Sequence, residues 1–236
     1  MKTVLITGHL GFIGKSLKIV LEQKYNVVGL DIKEGNDILV CDLPECDIVI
    51  HLAALSGVRQ SIDAPEKYWR INVEGTRRIL EHYKSKRILV ASSSSQYEPH
   101  LNPYAASKHA MEFIPHDNVC FMRFHTVYSE QPRENMFFYK LLNGTLEYVT
   151  NHSRDFIHIN DICDAVLLLM NHNFVGSLDV GTGISINIKD IMPNLPLKEF
   201  TPHERQATKA NTRKLSFFGF SPKHDVRDFL ADKLRR

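Results

Sequence analysis

The sequence predicts an α/β fold, a parallel sheet with helices on both faces. Three observations carry that expectation. Short β-branched runs alternate with stretches of helical periodicity, the pattern of parallel strands joined by crossover helices. The first run ends in a glycine-rich turn that leads straight into an amphipathic segment. The 236 residues, 43% of them hydrophobic and 24% charged, are those of an ordinary globular chain, long enough for one large domain or a domain with a small added lobe.

Taken in order, strands are expected at TVLITG (3–8), NVVGLD (26–31), DIVIHLA (47–53), RILVAS (87–92), VCFMRF (119–124) and SLDVG (177–181). Between the first two, FIGKSLKIVLEQ places Ile13, Leu17, Val20 and Leu21 on one helical face. A second helix is expected over roughly 66–85. A third is expected over 103–114, with Asn102 as N-cap, Pro103 at the first helical position and Pro115 as the stop. The interval between the second strand and CDLPECD (41–47) leaves no room for a crossover helix. From 129 onward the pattern is irregular and richer in Asn, Pro and aromatic residues, returns to helix and strand at 160–181, then turns irregular again. This divides the chain into a nucleotide-binding core, 1–128 and 155–181, and a small lobe made of 129–154 and 182–236.

Composition excludes several classes of function. A net charge of +2 supplies no general attraction to nucleic acid or membrane, and the closing KLRR (233–236) reads as a solvated helix end. Cys41, Cys46, Cys120 and Cys163 lack metal-ligand spacing, and Cys120 and Cys163 sit inside apolar runs, so buried free thiols are expected. The twelve histidines include no HExxH pairing, so no metal is assigned. No apolar run approaches membrane-spanning length, and the N-terminus enters a strand directly, which makes the cytoplasm the expected location.

The first strand ends in TGHLGFIG, with Gly8, Gly11 and Gly14 at GxxGxxG spacing. Glycines between a strand and a helix let the backbone approach a pyrophosphate, which the helix N-terminus attracts. This is the signature turn of a Rossmann-type, doubly wound parallel sheet, and Gly8, Gly11, Phe12, Ile13 and Gly14 are the expected contacts there. Asp31 closes the second strand 17 residues after Gly14, where an acid binds the ribose hydroxyls of NAD and repels the extra phosphate of NADP. Lys33 nearby keeps the second cofactor open.

Tyr104 and Lys108 stand four residues apart on the third helix, hence on one face. A phenol titrates near 10, and a neighbouring ammonium is expected to lower that value. Such a pair suits removal of a proton from a sugar hydroxyl while the cofactor takes hydride from the same carbon.

The order TGHLGFIG, HLAA (51–54), ASSSSQY (91–97) and YAASK (104–108) resembles the extended short-chain dehydrogenase/reductase family of nucleotide-sugar epimerases and dehydratases. CDL (41–43), NVEGT (72–76), RFHTVY (123–128) and RDFIHINDI (154–162) extend the resemblance over nearly the whole chain. It implies that Tyr104 is the base, that Lys108 also grips the nicotinamide ribose, and that Asp42 lies near adenine. Leu43, Leu52, Ala53, Ala54 and Asn72, in the same matched segments, are expected along the cofactor. Tyr97 is expected to line the pocket.

Four residues before Tyr97, Ser93 takes the place of the family's catalytic Ser or Thr. Dehydratases carry Asp-Glu in the next two positions, and related decarboxylases a Glu in the second; here Ser94 and Ser95 stand there. Reversible oxidation at C4 followed by reduction from the other face, a 4-epimerisation, is what remains. SGVRQSIDAPEKYW (56–69) and RFHTVYSEQPRENMFF (123–138) are most similar to UDP-glucuronate 4-epimerases, whose counterparts read GVR-S and RFFTVYGP-RPDM. That similarity makes Ser94, Ser95, Thr126 and Arg133 expected partners of a sugar carboxylate, although a neutral hexose would also suit hydroxyls there. Arg59 is expected at the diphosphate, at the carboxylate or simply at the surface. Arg154 is expected on a UDP diphosphate, with an ion pair to Asp155 or another neighbour as its competing role, and Arg205 is a second phosphate contact. Trp69 is expected to pack.

The reading is therefore an NAD-dependent 4-epimerase acting on a UDP-sugar. A nucleotide-sugar reductase or dehydrogenase, and an NAD-binding protein without turnover, are the alternatives. The resemblance implies dimerisation through the YAASK helix, yet Pro115 shortens that helix, and only EPHLNP separates Tyr97 from Tyr104. A homodimer is thus open, and a pocket more exposed than usual is expected.

Overall fold

The computed structural model describes residues 1–134, 136–199 and 202–234; Arg235 and Arg236 of the basic tail lie outside them. The strands are β1 (Thr3–Thr7), β2 (Asn26–Leu30), β3 (Ile48–His51), β4 (Arg87–Ser93), β5 (Val119–Phe124), β6 (Thr126–Tyr128), β7 (Val149–Thr150), β8 (Ser153–His158), β9 (Gly176–Val180), β10 (Ser185–Asn187) and β11 (Leu197–Lys198). Among the described residues, β2-β1-β3-β4-β5-β9 form one sheet in that order, parallel throughout. It contains all six strands expected from the sequence.

The order is that of a doubly wound dinucleotide-binding sheet, 3-2-1-4-5-6, without strand 3 and with one further strand, β9, beyond strand 6. The missing strand follows from the short 31–47 connection, which holds one 3₁₀ turn (Ile32–Glu34) and no α-helix. The chain passes directly from β2 to the far side of β1, and the reversal of strand order there opens the crevice that such sheets use for ligands.

Helices α1 (Phe12–Leu21), α2 (Val58–Asp63), α3 (Pro65–Trp69), α4 (Gly75–His82), α5 (Pro103–Met111), α6 (Phe137–Leu142), α7 (Ile159–Met170), α8 (Ile188–Ile191), α9 (Arg213–Phe217) and α10 (Val226–Leu234) complete the fold. Strand alternation feeds two separate cores. Val4, Ile6, Leu89, Cys120 and Met122 meet α1 and α7 on one face; Leu5, Ile88, Val90 and Phe121 meet α4 and α5 on the other. Burial holds the Cys120 and Cys163 thiols up at about 12, as inert buried cysteines require.

Two helices depart from expectation. The helix anticipated over 66–85 is broken by a π turn at Arg70–Glu74, where the Gly75 N–H bonds Arg70 O. The Thr76 hydroxyl donates to Asn72 O at 2.6 Å, and this side-chain competitor on the carbonyl accompanies the wider turn. The break leaves Trp69 exposed rather than packed, beside Phe113, which is 72% exposed. Helix α5 begins as expected, with Asn102 Oδ1 accepting from Ala105 N, but ends at Met111, and single turns carry the chain to Pro115.

The remaining strands build a smaller unit in which β8 pairs β6 in parallel and β10 antiparallel. Its apolar centre gathers Tyr128, Phe138, Phe156, Ile186, Val226 and Leu230. Not all of the C-terminal segment joins it, because Leu215 and Phe220 pack into the α1/α7 core.

Candidate active site

The glycine turn closes by backbone contact. Gly8 has φ +75°, and a Cβ there would stand 2.7 Å from Ala53 N. A Cβ on Gly11 would reach Gly8 O at 3.0 Å, and one on Gly14 would lie 2.7 Å from His9 Cα. Three stretches of main chain thus meet where any side chain would intrude, and no side chain caps α1. Uncapped first-turn N–H groups behind a glycine cradle fit a pyrophosphate. Phe12, Ile13 and Leu52 pack against the α1/α7 core, and Leu43 against the opposite one. Ala54 follows Ala53 in the loop after β3. Gly14→Ala is expected to lower stability by about 1–3 kcal/mol and to weaken dinucleotide binding with it. Chemical unfolding and a fluorescence titration check this; full affinity at wild-type stability would show that the turn is not tight.

Asp31 is buried at the tip of β2 and accepts from Leu10 N at 2.9 Å and Lys33 N at 3.0 Å. It therefore ties the glycine turn to the end of β2, where the cofactor's ribose is expected. The Lys33 amine turns aside to Leu10 O. Asp42 is exposed. Asn72 is committed inside the chain: its amide exchanges hydrogen bonds with the Leu55 backbone and donates to Ser107 Oγ, whose hydroxyl donates to Tyr104 O. It joins the loop after β3 to the tyrosine-bearing helix.

His51 shows how that loop is held. Thr76 gives its proton to Asn72 O, so it accepts from His51 Nε2; His51 Nδ1 then accepts from Thr7 Oγ1, which accepts from Ala53 N. This requires a neutral imidazole, and burial with the Lys108 charge lowers its pKa to about 3. Between about 3 and the ordinary 6.5 the unfolded chain holds the proton that the folded chain refuses. Stability consequently rises with pH across that window and falls on acidification, by about 1.4 kcal/mol per pH unit for one such group. His51→Gln is expected to flatten this part of the slope in denaturant unfolding between pH 4 and 6.5 (roughly the same window); an unchanged slope refutes the assignment.

The end of β4 brings Ser93, Ser94 and Ser95 under α5. Ser93 Oγ accepts from Ser95 N at 3.1 Å and lies close enough to the Tyr104 phenol to favour its ionised form. Lys108 is buried and donates to Ala91 O at 2.7 Å. The expected electrostatics need correction. Burial raises the Tyr104 pKa, and the opposing influences are the nearby Ser93 hydroxyl and the Arg133 charge rather than Lys108. Burial also pulls Lys108 down to about 8, with Glu112 opposing. In this state desolvation outweighs the attraction between phenolate and ammonium.

Beside the serines lies a cavity of about 170 Å³ lined by Ser93, Ser94, Ser95, Thr126, Arg154 and Arg205, together with Glu98, His125 and Glu204. It unites six of the expected residues from four separate segments. Arg154 donates to Arg205 O at 2.8 Å and pairs with Glu204 at 3.3 Å; the expected alternative partner, Asp155, instead accepts from Thr182, Gly183 and Ala210. Arg205 donates to Glu98 at 2.9 Å and to Ser94 O at 2.9 Å. Arg133 is exposed, bonds Ser56 Oγ and acts on Tyr104 and Tyr68 from outside the cavity, and Arg59 is exposed away from it. Tyr97 does not line the cavity. Its hydroxyl donates to Asp179 at 2.7 Å, and its ring lies beneath the Arg123 and Arg205 guanidinium groups.

Sequence reasoning missed the buried network behind the serines. Glu112 accepts two bonds from Arg123 Nε and Nη2 and others from Ser92 and Ser177; Arg123 reaches on to Tyr97 and Asp179. The available signal was the helical spacing of Lys108 and Glu112. The acids Glu98 and Glu204 had no such signal, since their arginines are distant in sequence.

The chain matches the NAD dependent epimerase/dehydratase family over residues 4–181. It belongs to that family. NAD is the cofactor of the family, and the glycine cradle described above is compatible with it. Among relatives, this epimerase/dehydratase-family chain is 28% identical to a probable UDP-glucuronate 4-epimerase of Rhizobium meliloti, over 70% of this chain and 67% of that one. It is 30% identical to a putative UDP-glucose 4-epimerase of Methanocaldococcus jannaschii, over 78% and 79%. Among solved structures, MoeE5 in complex with UDP-glucose and NAD aligns with a TM-score of 0.84 at 29% identity, covering 99% of both chains. The UDP-glucuronic acid 4-epimerase from Bacillus cereus, in complex with UDP-glucuronic acid and NAD, aligns at 0.82 and 26% identity, over 97% and 96%.

Proposed function

We propose that this chain catalyses the NAD-dependent 4-epimerisation of a UDP-sugar, interconverting UDP-glucuronate with UDP-galacturonate or UDP-glucose with UDP-galactose through a transient 4-keto sugar. The observation that carries the reading is the Ser93 hydroxyl set near the Tyr104 phenol at the end of β4, with a cavity bearing two arginines directly beside it. Tyr104 takes the C4 hydroxyl proton, Ser93 holds that hydroxyl in line, and Lys108 supplies positive charge one helical turn behind the phenol. NAD supplies a hydride acceptor at C4 that is restored within each cycle. Gly8, Gly11 and Gly14 hold its pyrophosphate, and Asp31 its adenosine ribose. Arg154 and Arg205 hold the diphosphate of the sugar nucleotide, each giving up a contact with its glutamate. We assign the cofactor half to 1–128 and 155–181 and the sugar-nucleotide half to 129–154 with 182–236, although β6 and β8 pair within the smaller unit and Leu215 and Phe220 pack into the α1/α7 core.

Ser94 and Ser95 bring no carboxyl group to the reacting carbon, which disfavours elimination and decarboxylation. Incubation with NAD and either UDP-glucuronate or UDP-glucose, followed by NMR, should show inversion at C4 without lasting change in nicotinamide absorbance. Stoichiometric formation of reduced cofactor would point to a dehydrogenase, and inertness toward both sugars would remove the proposal.

A further inference from the structure

Resting on the UDP-sugar reading, we propose that Glu98 and Glu204 promote release of the nucleotide sugar: they compete with its diphosphate for Arg205 and Arg154. All four side chains line one cavity, where two positive charges stand against two negative ones. Glu98 accepts from Arg205 Nε at 2.9 Å, and Glu204 from Arg154 Nη2 at 3.3 Å. The arginine side chains are mostly buried, while Glu204 and Glu98, at 27% and 39% exposed, have room to turn toward solvent. The main chain holds both guanidinium groups independently of the acids. Arg154 donates to the carbonyls of Ser153 and Arg205, and Arg205 to that of Ser94. Loss of either carboxylate therefore frees a donor without setting the arginine loose.

The same contacts draw the segment 203–208 across the cavity. Asn102 Nδ2 donates to His203 O at 2.9 Å, Arg205 reaches Glu98, and Ser153 N donates to Gln206 O. The space enclosed is about 170 Å³, below the roughly 300–1,000 Å³ of ordinary small-molecule clefts, so a sugar nucleotide needs this segment to yield. A phosphate oxygen that reaches either guanidinium also comes beside the carboxylate already bonded there. Like charges repel strongly in a poorly solvated wall, so glutamate and diphosphate exclude one another. When the nucleotide withdraws, each glutamate recovers its arginine, which weakens binding chiefly by speeding dissociation. An epimerase holds its product through the same diphosphate contacts as its substrate, and release of such a product readily limits turnover.

Calorimetric titration of the NAD-loaded protein with UDP, in wild type and in each glutamine variant, tests this. Glu98→Gln and Glu204→Gln should each lower the Kd for UDP roughly 10-fold, the effect of removing one charged competitor. Stopped-flow displacement should show UDP leaving more slowly by a similar factor. Structural damage would weaken binding, so tighter binding cannot be its signature, and an unchanged NAD affinity confirms the fold. Glu98→Gln alters the more exposed carboxylate and keeps the test available should Glu204→Gln fail to fold. A Kd that is unchanged or raised in either folded variant overturns the proposal, while UDP binding and C4 inversion by the wild type still stand. Failure of the wild type to bind UDP overturns the underlying reading and this inference together.

Discussion

Tyr104→Phe is expected to lower kcat by about 10²- to 10⁴-fold, the usual contribution of a positioned general base, while NAD binding and stability stay near wild type. The ring can remain in place, since it meets Tyr68 edge-on at 6.3 Å and its hydroxyl lies near Ser93. What disappears is the oxygen that accepts the C4 proton. Burial raises this phenol in the structure, so activity depends on what the bound state adds. Lys108 and the positive ring of oxidised NAD each favour phenolate, and the nearby Ser93 hydroxyl acts in the same direction. NMR of C4 inversion, NAD titration and an unfolding curve measured together separate a catalytic loss from a folding defect. Turnover within a few-fold of wild type would remove Tyr104 from the chemistry.

Glu112→Ala is expected to give the largest loss of stability, about 3–5 kcal/mol, the range for breaking a buried pair by removing one partner. The Glu112 side chain is 4% exposed and Arg123 21%. Without the carboxylate, Arg123 keeps its charge among Tyr97 and Asp179 but loses its bidentate partner, and Ser92 and Ser177 lose an acceptor. The buried ammonium of Lys108 also loses the charge that holds it up at about 8. Glu112→Gln, which retains acceptor capacity, should lose less. Urea unfolding of the three proteins orders them; a Glu112→Ala midpoint indistinguishable from wild type would mean that water replaces the carboxylate at no cost.

The six sheet strands were legible because a parallel strand buried on both faces must be written as an unbroken apolar run, and VCFMRF appears with its expected bounds. The α1 turn was legible because Gly8, Gly11 and Gly14 answer a steric demand that no other residue meets. The start of α5 was legible because Asn102 and Pro103 act within one turn. The break at Arg70–Glu74 was not, because the side chains that accompany it, Asn72 and Thr76, bind the Leu55 backbone and His51 across the fold. Nor was the exposure of Trp69, which depends on where that helix is interrupted.

The sequence by itself determined which groups this protein possesses and which stand one turn or one strand apart: the glycine cradle, the acid closing β2, the serines ending β4, and the tyrosine and lysine of α5. Each is local, and local geometry follows from periodicity and sterics. Only the tertiary structure decided what those groups face. It paired Arg154 and Arg205 with Glu204 and Glu98, set Glu112 and Asp179 behind the serines, and buried His125 in the same wall. Charge, desolvation and hydrogen bonding act through distance in space, and residues far apart along a chain share none until it folds.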